Sequence, residues 1–206
     1  MVDASWPRRL PADACPAPVW PGTLGTSGPG AGRRVLIVGD SLTRESRVST
    51  ARLLRERGWT PTFRCWGSVR LDWGLAQVAR AQRLGQLPEY VVIALGTNDV
   101  SWVDTATTQR RVGALLDRLG PRREVLWVDL DVDHSAFSRG RAQWFNRMVR
   151  QVAASRENVT VLPWRSHARG RGLGRSDGIH YGPSGYRARA EFLATALDRM
   201  VDAQSP

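Results

Sequence analysis

Unbroken apolar runs of strand length alternate along the chain with stretches whose apolar positions recur at helical spacing. The runs are "RVLIVG", "YVVIALG", "EVLWVDL" and "NVTVLPW", and the more polar "TPTFRCW" could be a further strand. Short runs closed by glycine or proline predict strands covered on both faces, since a half-exposed strand would alternate apolar and polar residues. Between them, Thr43 to Arg57 is rich in helix formers and stops at Gly58. Leu71, Leu75, Val78 and Ala79 share one helical face, as do Val112, Leu115, Leu116 and Leu119 before the Gly120-Pro121 break. Phe145, Met148, Val149 and Val152 mark a further helix, and Pro183 opens a last one that buries Tyr186, Ala190, Leu193 and Leu197. Five strands alternating with five helices predict an α/β fold. Right-handed β-α-β crossovers would build a mostly parallel five-stranded sheet with helices on both faces.

The first 32 residues break this pattern. They are rich in Pro, Gly and Ala, and predict an irregular N-terminal arm (1–32) on a single domain (33–206). Their glycines do not make a phosphate-binding loop, because no strand precedes them and the required lysine is missing. The chain has no 18-residue apolar run, so no membrane span is expected. Nor does its N-terminus show the apolar core of a signal peptide. Either the protein stays inside the cell or an export segment lies upstream.

Charge alters the picture only slightly. The net charge is +11, and all 30 basic residues are arginine. Because they are scattered, a soluble protein with a positive surface is favoured over a dedicated nucleic-acid site. Cys15 and Cys65 are the only cysteines. They could form a bridge or remain two thiols, and their spacing fits no metal motif.

The strand ends carry the chemistry. In an open parallel sheet, ligands bind beyond the C-terminal ends of the strands. The first strand delivers Gly39-Asp40-Ser41-Leu42, the second Trp66-Gly67-Ser68 and the third Gly96-Thr97-Asn98-Asp99. After the fifth comes a long loop ending in "SDGIHYGPSGY" with Asp177 and His180. A serine, a histidine and a carboxylate on one edge are what nucleophilic acyl transfer needs. Ser41 taken alone would only begin a helix, and Asp40 and Asp99 are expected to hold their loops by bonding local backbone.

"GDSL", the isolated Gly67, "GTND" and "DGIH" together resemble the four blocks of the SGNH (GDSL-type) hydrolase superfamily, in its order, from Gly39 to His180. The resemblance implies a flavodoxin-like three-layer α/β/α fold, activity on esters and no cofactor. It also implies that Ser41 is the nucleophile, His180 the base and Asp177 its partner. The oxyanion hole would comprise the Ser41 and Gly67 N–H groups and the Asn98 side chain. Two departures bear on substrate choice: Arg44 and Glu45 stand where small or apolar residues often follow, and the region around Gly67 is rich in Trp and Arg.

The expected function is therefore a serine-dependent hydrolase of short acyl or carbohydrate O-acyl esters. Two alternatives stand beside it, an O-acyltransferase acting on a sugar hydroxyl and a non-catalytic binding module for an anionic polymer. No metal, cofactor or nucleic-acid partner is expected. Asp129, Asp131 and Asp133 beside His134 could hold a hard cation, but arginine pairing or loop capping is preferred. Arg165 to Arg175 reads either as a flexible basic rim or as a solvated loop. Trp66, Trp73 and Trp102 could stack on a sugar or an acyl chain, whereas Trp127 belongs to the core.

Overall fold

The computed structural model describes Cys15 and residues 27–203. Apart from Cys15 and residues 27–32, the predicted arm lies outside the described residues. The elements in chain order are β1 (Arg34–Gly39), α1 (Ser41–Glu56), β2 (Thr60–Cys65), α2 (Leu71–Arg83), β3 (Tyr90–Ala94), α3 (Asp99–Trp102) and α4 (Thr105–Leu119). They continue as β4 (Glu124–Val128), α5 (Ala136–Ala153), β5 (Val159–Leu162), α6 (Trp164–Gly170) and α7 (Pro183–Asp202).

All strand pairs are parallel, in the order β2-β1-β3-β4-β5. Alternate residues of the central strands β1, β3 and β4 enter opposite cores, whereas the edge strand β2 buries one face only. Val35, Ile37, Val92 and Leu126 pack under α1 and α7 with Leu54, Leu193 and Leu197. Leu36, Val38, Ile93 and Trp127 pack on the other side with Val78, Leu115 and Phe145 from α2, α4 and α5. Burial on both faces explains why these central strands read as apolar runs, while β2 alternates. The result is a three-layer α/β/α sandwich.

Two short helices, α3 and α6, add to the five expected. The stretch from Arg165, read as rim or loop, is largely α6 in its first half. Helix α1 also begins earlier than expected, at Ser41 rather than Thr43. Asp40 is its N-cap and accepts a hydrogen bond from Leu42 N at 3.0 Å. Among the described residues no helix is long and apolar enough to cross a membrane. Cys15 and Cys65 form a disulfide, with Cα atoms 5.2 Å apart, which settles the pairing that spacing left open.

Candidate active site

The strand order puts its switch point between β1 and β3, whose following loops diverge around a crevice at the C-terminal edge. Ser41 follows β1 there as the first residue of α1. The tight β1–α1 turn needs Gly39, because a Cβ at that position would collide with the Thr43 side chain. A helix N-terminus at Ser41 supplies unpaired N–H groups and the positive end of a dipole.

His180 reaches the same spot from the loop before α7. Its Nε2 lies 2.9 Å from Ser41 Oγ, and its Nδ1 lies 2.7 Å from Asp177 Oδ2. An acceptor carboxylate at Nδ1 places the ring hydrogen there and leaves Nε2 as acceptor for the serine hydroxyl. Asp177 Oδ1 accepts from the backbone N–H of His180 at 2.7 Å and of Ile179 at 2.9 Å. Partial burial raises the Asp177 carboxyl, but these bonds from ring and backbone outweigh it and hold the group well below the usual carboxylate range. It stays ionised at any working pH.

The other two strand ends meet this pair. Gly39 is in register with Cys65 across β1 and β2, and Trp66 N donates to Gly39 O at 3.4 Å. Gly67 thus leaves the sheet beside the start of α1. A Cβ at Gly67 would meet only Arg44 Nη1, at 3.6 Å, so its surroundings are open. Asn98, after β3, donates one Nδ2 hydrogen to Val69 O at 2.9 Å, which ties it to the Gly67 loop and leaves the second hydrogen for another acceptor.

Neighbouring carboxylates hold this frame. Asp40 is buried, and burial raises its pKa against the opposing pull of Arg189 and the Leu42 N–H. Asp99 does not bond local backbone as expected. It accepts from Leu71 N, at 3.1 and 3.3 Å, at the start of α2.

The loop after β4 buttresses the histidine loop, a role the sequence did not reveal. Asp133 N donates to Gly178 O at 2.7 Å, and His134 Nδ1 donates to Asp177 O at 3.0 Å. Buried Asp131 accepts from Tyr181 Oη at 3.0 Å, Arg169 Nε at 2.9 Å and Arg175 Nη1 at 2.6 Å. Asp129 pairs with Arg150 at 2.5 Å, and Asp133 with Arg139 at 2.7 Å. The aspartates considered as cation ligands are thus paired with arginine. Two arginines of the expected basic rim, Arg169 and Arg175, are spent inward on this network. Trp66 and Trp73 are half-buried and Trp102 is exposed, while Trp127 is fully buried.

A cavity of about 660 Å³ lined by Leu126, Leu162, Phe192, Ala196 and Met200 opens on the α7 side of β4 and β5. It includes none of the strand-end residues above, and although Thr160, Thr195 and His167 line it, neither hydroxyl is hydrogen-bonded to a base among the described residues. The chemistry belongs to the strand-end crevice.

Comparisons with known proteins bear on the family and the fold. Residues 26–188 match the model of the GDSL-like Lipase/Acylhydrolase family. No curated protein sequence matches the chain. Among solved structures, the C-terminal catalytic domain of a Streptococcus pneumoniae peptidoglycan O-acetyltransferase superposes with TM-score 0.69 at 18% identity, covering 82% of this chain and 95% of that one. A Geobacillus stearothermophilus acetylxylan esterase gives 0.66 at 15% identity, covering 82% and 95%. A GDSL-like lipase from Bacteroides thetaiotaomicron gives 0.63 at 15%, covering 82% and 89%. At such identities these likenesses establish the shared fold.

Proposed function

The chain belongs to the GDSL-like lipase/acylhydrolase family, and on that premise we propose that it hydrolyses carboxylic esters through an acyl-enzyme on Ser41. Ser41 Oγ attacks the ester carbonyl while His180 Nε2 takes its proton. Asp177 keeps the ring in the required tautomer and stabilises the imidazolium. The tetrahedral oxyanion is received by the N–H groups of Ser41 and Gly67 and by the second Nδ2 hydrogen of Asn98. Collapse breaks the C–O bond, and His180 returns the proton to the departing alcohol. Water, deprotonated by the same ring, then attacks the acyl carbon and frees Ser41 and the carboxylic acid.

The observation that carries this reading is the unbroken Ser41–His180–Asp177 chain of hydrogen bonds, 2.9 and 2.7 Å long. A relic binding module would have no need to keep it aligned. Turnover of a short p-nitrophenyl ester tests the reading. Ser41→Ala is expected to lower kcat by a factor of 10³ or more, with covalent labelling by a fluorophosphonate lost in parallel. Undiminished turnover in Ser41→Ala would sink it.

A second reading passes the acyl group to a sugar hydroxyl instead of water. It is supported by the likeness to the O-acetyltransferase catalytic domain and by a half-exposed His180 that leaves room for a bulky acceptor. Product analysis with an added carbohydrate acceptor separates the two. The Cys15–Cys65 disulfide further supports an oxidising, extracytoplasmic location. Export is tested by fractionating cells that express the full-length gene product.

A further inference from the structure

Arg44 follows Ser41 by three positions on α1, and positions three apart share a helix face, with Cβ atoms about 5–6 Å apart. Helical side chains lean toward the N-terminus of their helix, which here carries the guanidinium toward the strand ends. An independent contact agrees. Arg44 Nη1 lies 3.6 Å from the Cβ position of Gly67, the only atom within 4 Å of it among the described residues apart from Gly67 and its chain neighbours. The guanidinium therefore lies beside Gly67, on a helix face that Arg44 shares with Ser41.

Its donors are unequally used. Nε and Nη2 both donate to Glu45 Oε1, at 3.1 and 2.9 Å, on the exposed side. Nη1 makes no hydrogen bond to a described residue, and 46% of the side chain is open to solvent. Glu45 thus fixes the orientation of the fork and leaves one charged edge facing the crevice.

We propose that this edge selects esters that carry a carboxylate close to the scissile carbonyl. The inference rests on the acyl-transfer reading of the same site and names its substrate class. A carboxylate suits the edge better than a phosphate dianion, because Glu45 on the exposed side already neutralises part of the guanidinium charge and leaves less to offset a second negative charge. The net charge of +11 adds a general pull on anionic substrates.

Two substrate pairs test the idea and tell apart the side on which the anion lies. Mono-(4-nitrophenyl) glutarate against 4-nitrophenyl pentanoate puts the charge on the acyl side. On the alcohol side, 4-acetoxybenzoate is set against 4-acetoxybenzamide. One pair is expected to show a kcat/KM preference for its anionic member. Arg44→Gln should remove about tenfold or more of that preference, mainly through KM, as befits a lost charge-assisted hydrogen bond. The neutral member should stay within about twofold, and Arg44→Lys should retain part of the preference. A preference absent from both pairs, or surviving in Arg44→Gln, overturns the proposal. So does an equal loss on charged and neutral members, which would mean that the guanidinium acts on the developing oxyanion. Binding of monomethyl glutarate to Ser41→Ala tests the anion site without any turnover, so the acyl-transfer reading can fail separately. Equal affinity of Ser41→Ala and of the double variant with Arg44→Gln for monomethyl glutarate, and likewise for 4-acetoxybenzoate on the alcohol side, also overturns the proposal.

Discussion

Asp99 is adjacent to Asn98, yet its carboxyl is fully enclosed, and burial pushes its pKa up to about 6. The Leu71 N–H and the charge of Arg111 oppose that push without cancelling it. An acid with a raised pKa keeps its proton in the native state after the unfolded chain has released it. Stability therefore falls as pH rises from about 4 to about 6. A rise of this size corresponds to on the order of 2–3 kcal/mol at neutral pH. Asp99→Asn can still accept from Leu71 N, and is expected to remove the Asp99 share of that fall, leaving what the other buried carboxyls, Asp40 and Asp129, contribute. Urea unfolding of both proteins across this pH range checks it. A parallel pair of curves would show that the carboxyl is not the titrating group. At this scale the sequence was readable for residue types with a chemical signature. Ser41, His180 and Asp177 could be picked out because few histidines compete, Ser41 follows the first strand at once, and Asp177 and His180 stand in the loop before the last helix. Arg44 could not be assigned beyond a departure from pattern, because its place depends on where a long side chain leans and on what Gly67 leaves open.

Loops and short elements were less legible than strands. The central strands were visible because burial on both faces removes polar residues from them, whereas α3 spans four residues and α6 seven. Neither is long enough to show a repeating apolar face. The contact between the loops after β4 and before α7 was invisible for another reason. It consists largely of backbone and arginine bonds between segments some forty residues apart. Gly178 is its closest point, with φ +77, and a Cβ there would meet the Asp133 and His134 backbone at 2.5 Å. Gly178→Ala should therefore cost about 1–3 kcal/mol through backbone strain alone. It should also lower kcat/KM at least tenfold, by displacing Asp177 and His180 together. Denaturant midpoints and steady-state kinetics on the same preparation provide the check. Full activity in a destabilised variant would separate the loop's packing from the placement of the histidine.

Across the whole molecule, the layer order followed from the alternation of strand and helix signals, but the tie between Cys15 and Cys65 did not. Two cysteines 50 positions apart are compatible with a bridge and equally with two thiols, and only the folded path of the chain brings their Cα atoms to 5.2 Å. Closing a loop of that length restricts the unfolded ensemble by about 4 kcal/mol in the chain-entropy treatment. Thermal unfolding with and without reductant, with Cys15→Ser as control, is expected to show a matching loss of stability. With just these two cysteines in 206 residues, a single intramolecular connectivity exists. Oxidative refolding of this chain then calls for an oxidant but no isomerase, since there is nothing to reshuffle. The one covalent error open to it is a crosslink between two molecules, which dilution suppresses.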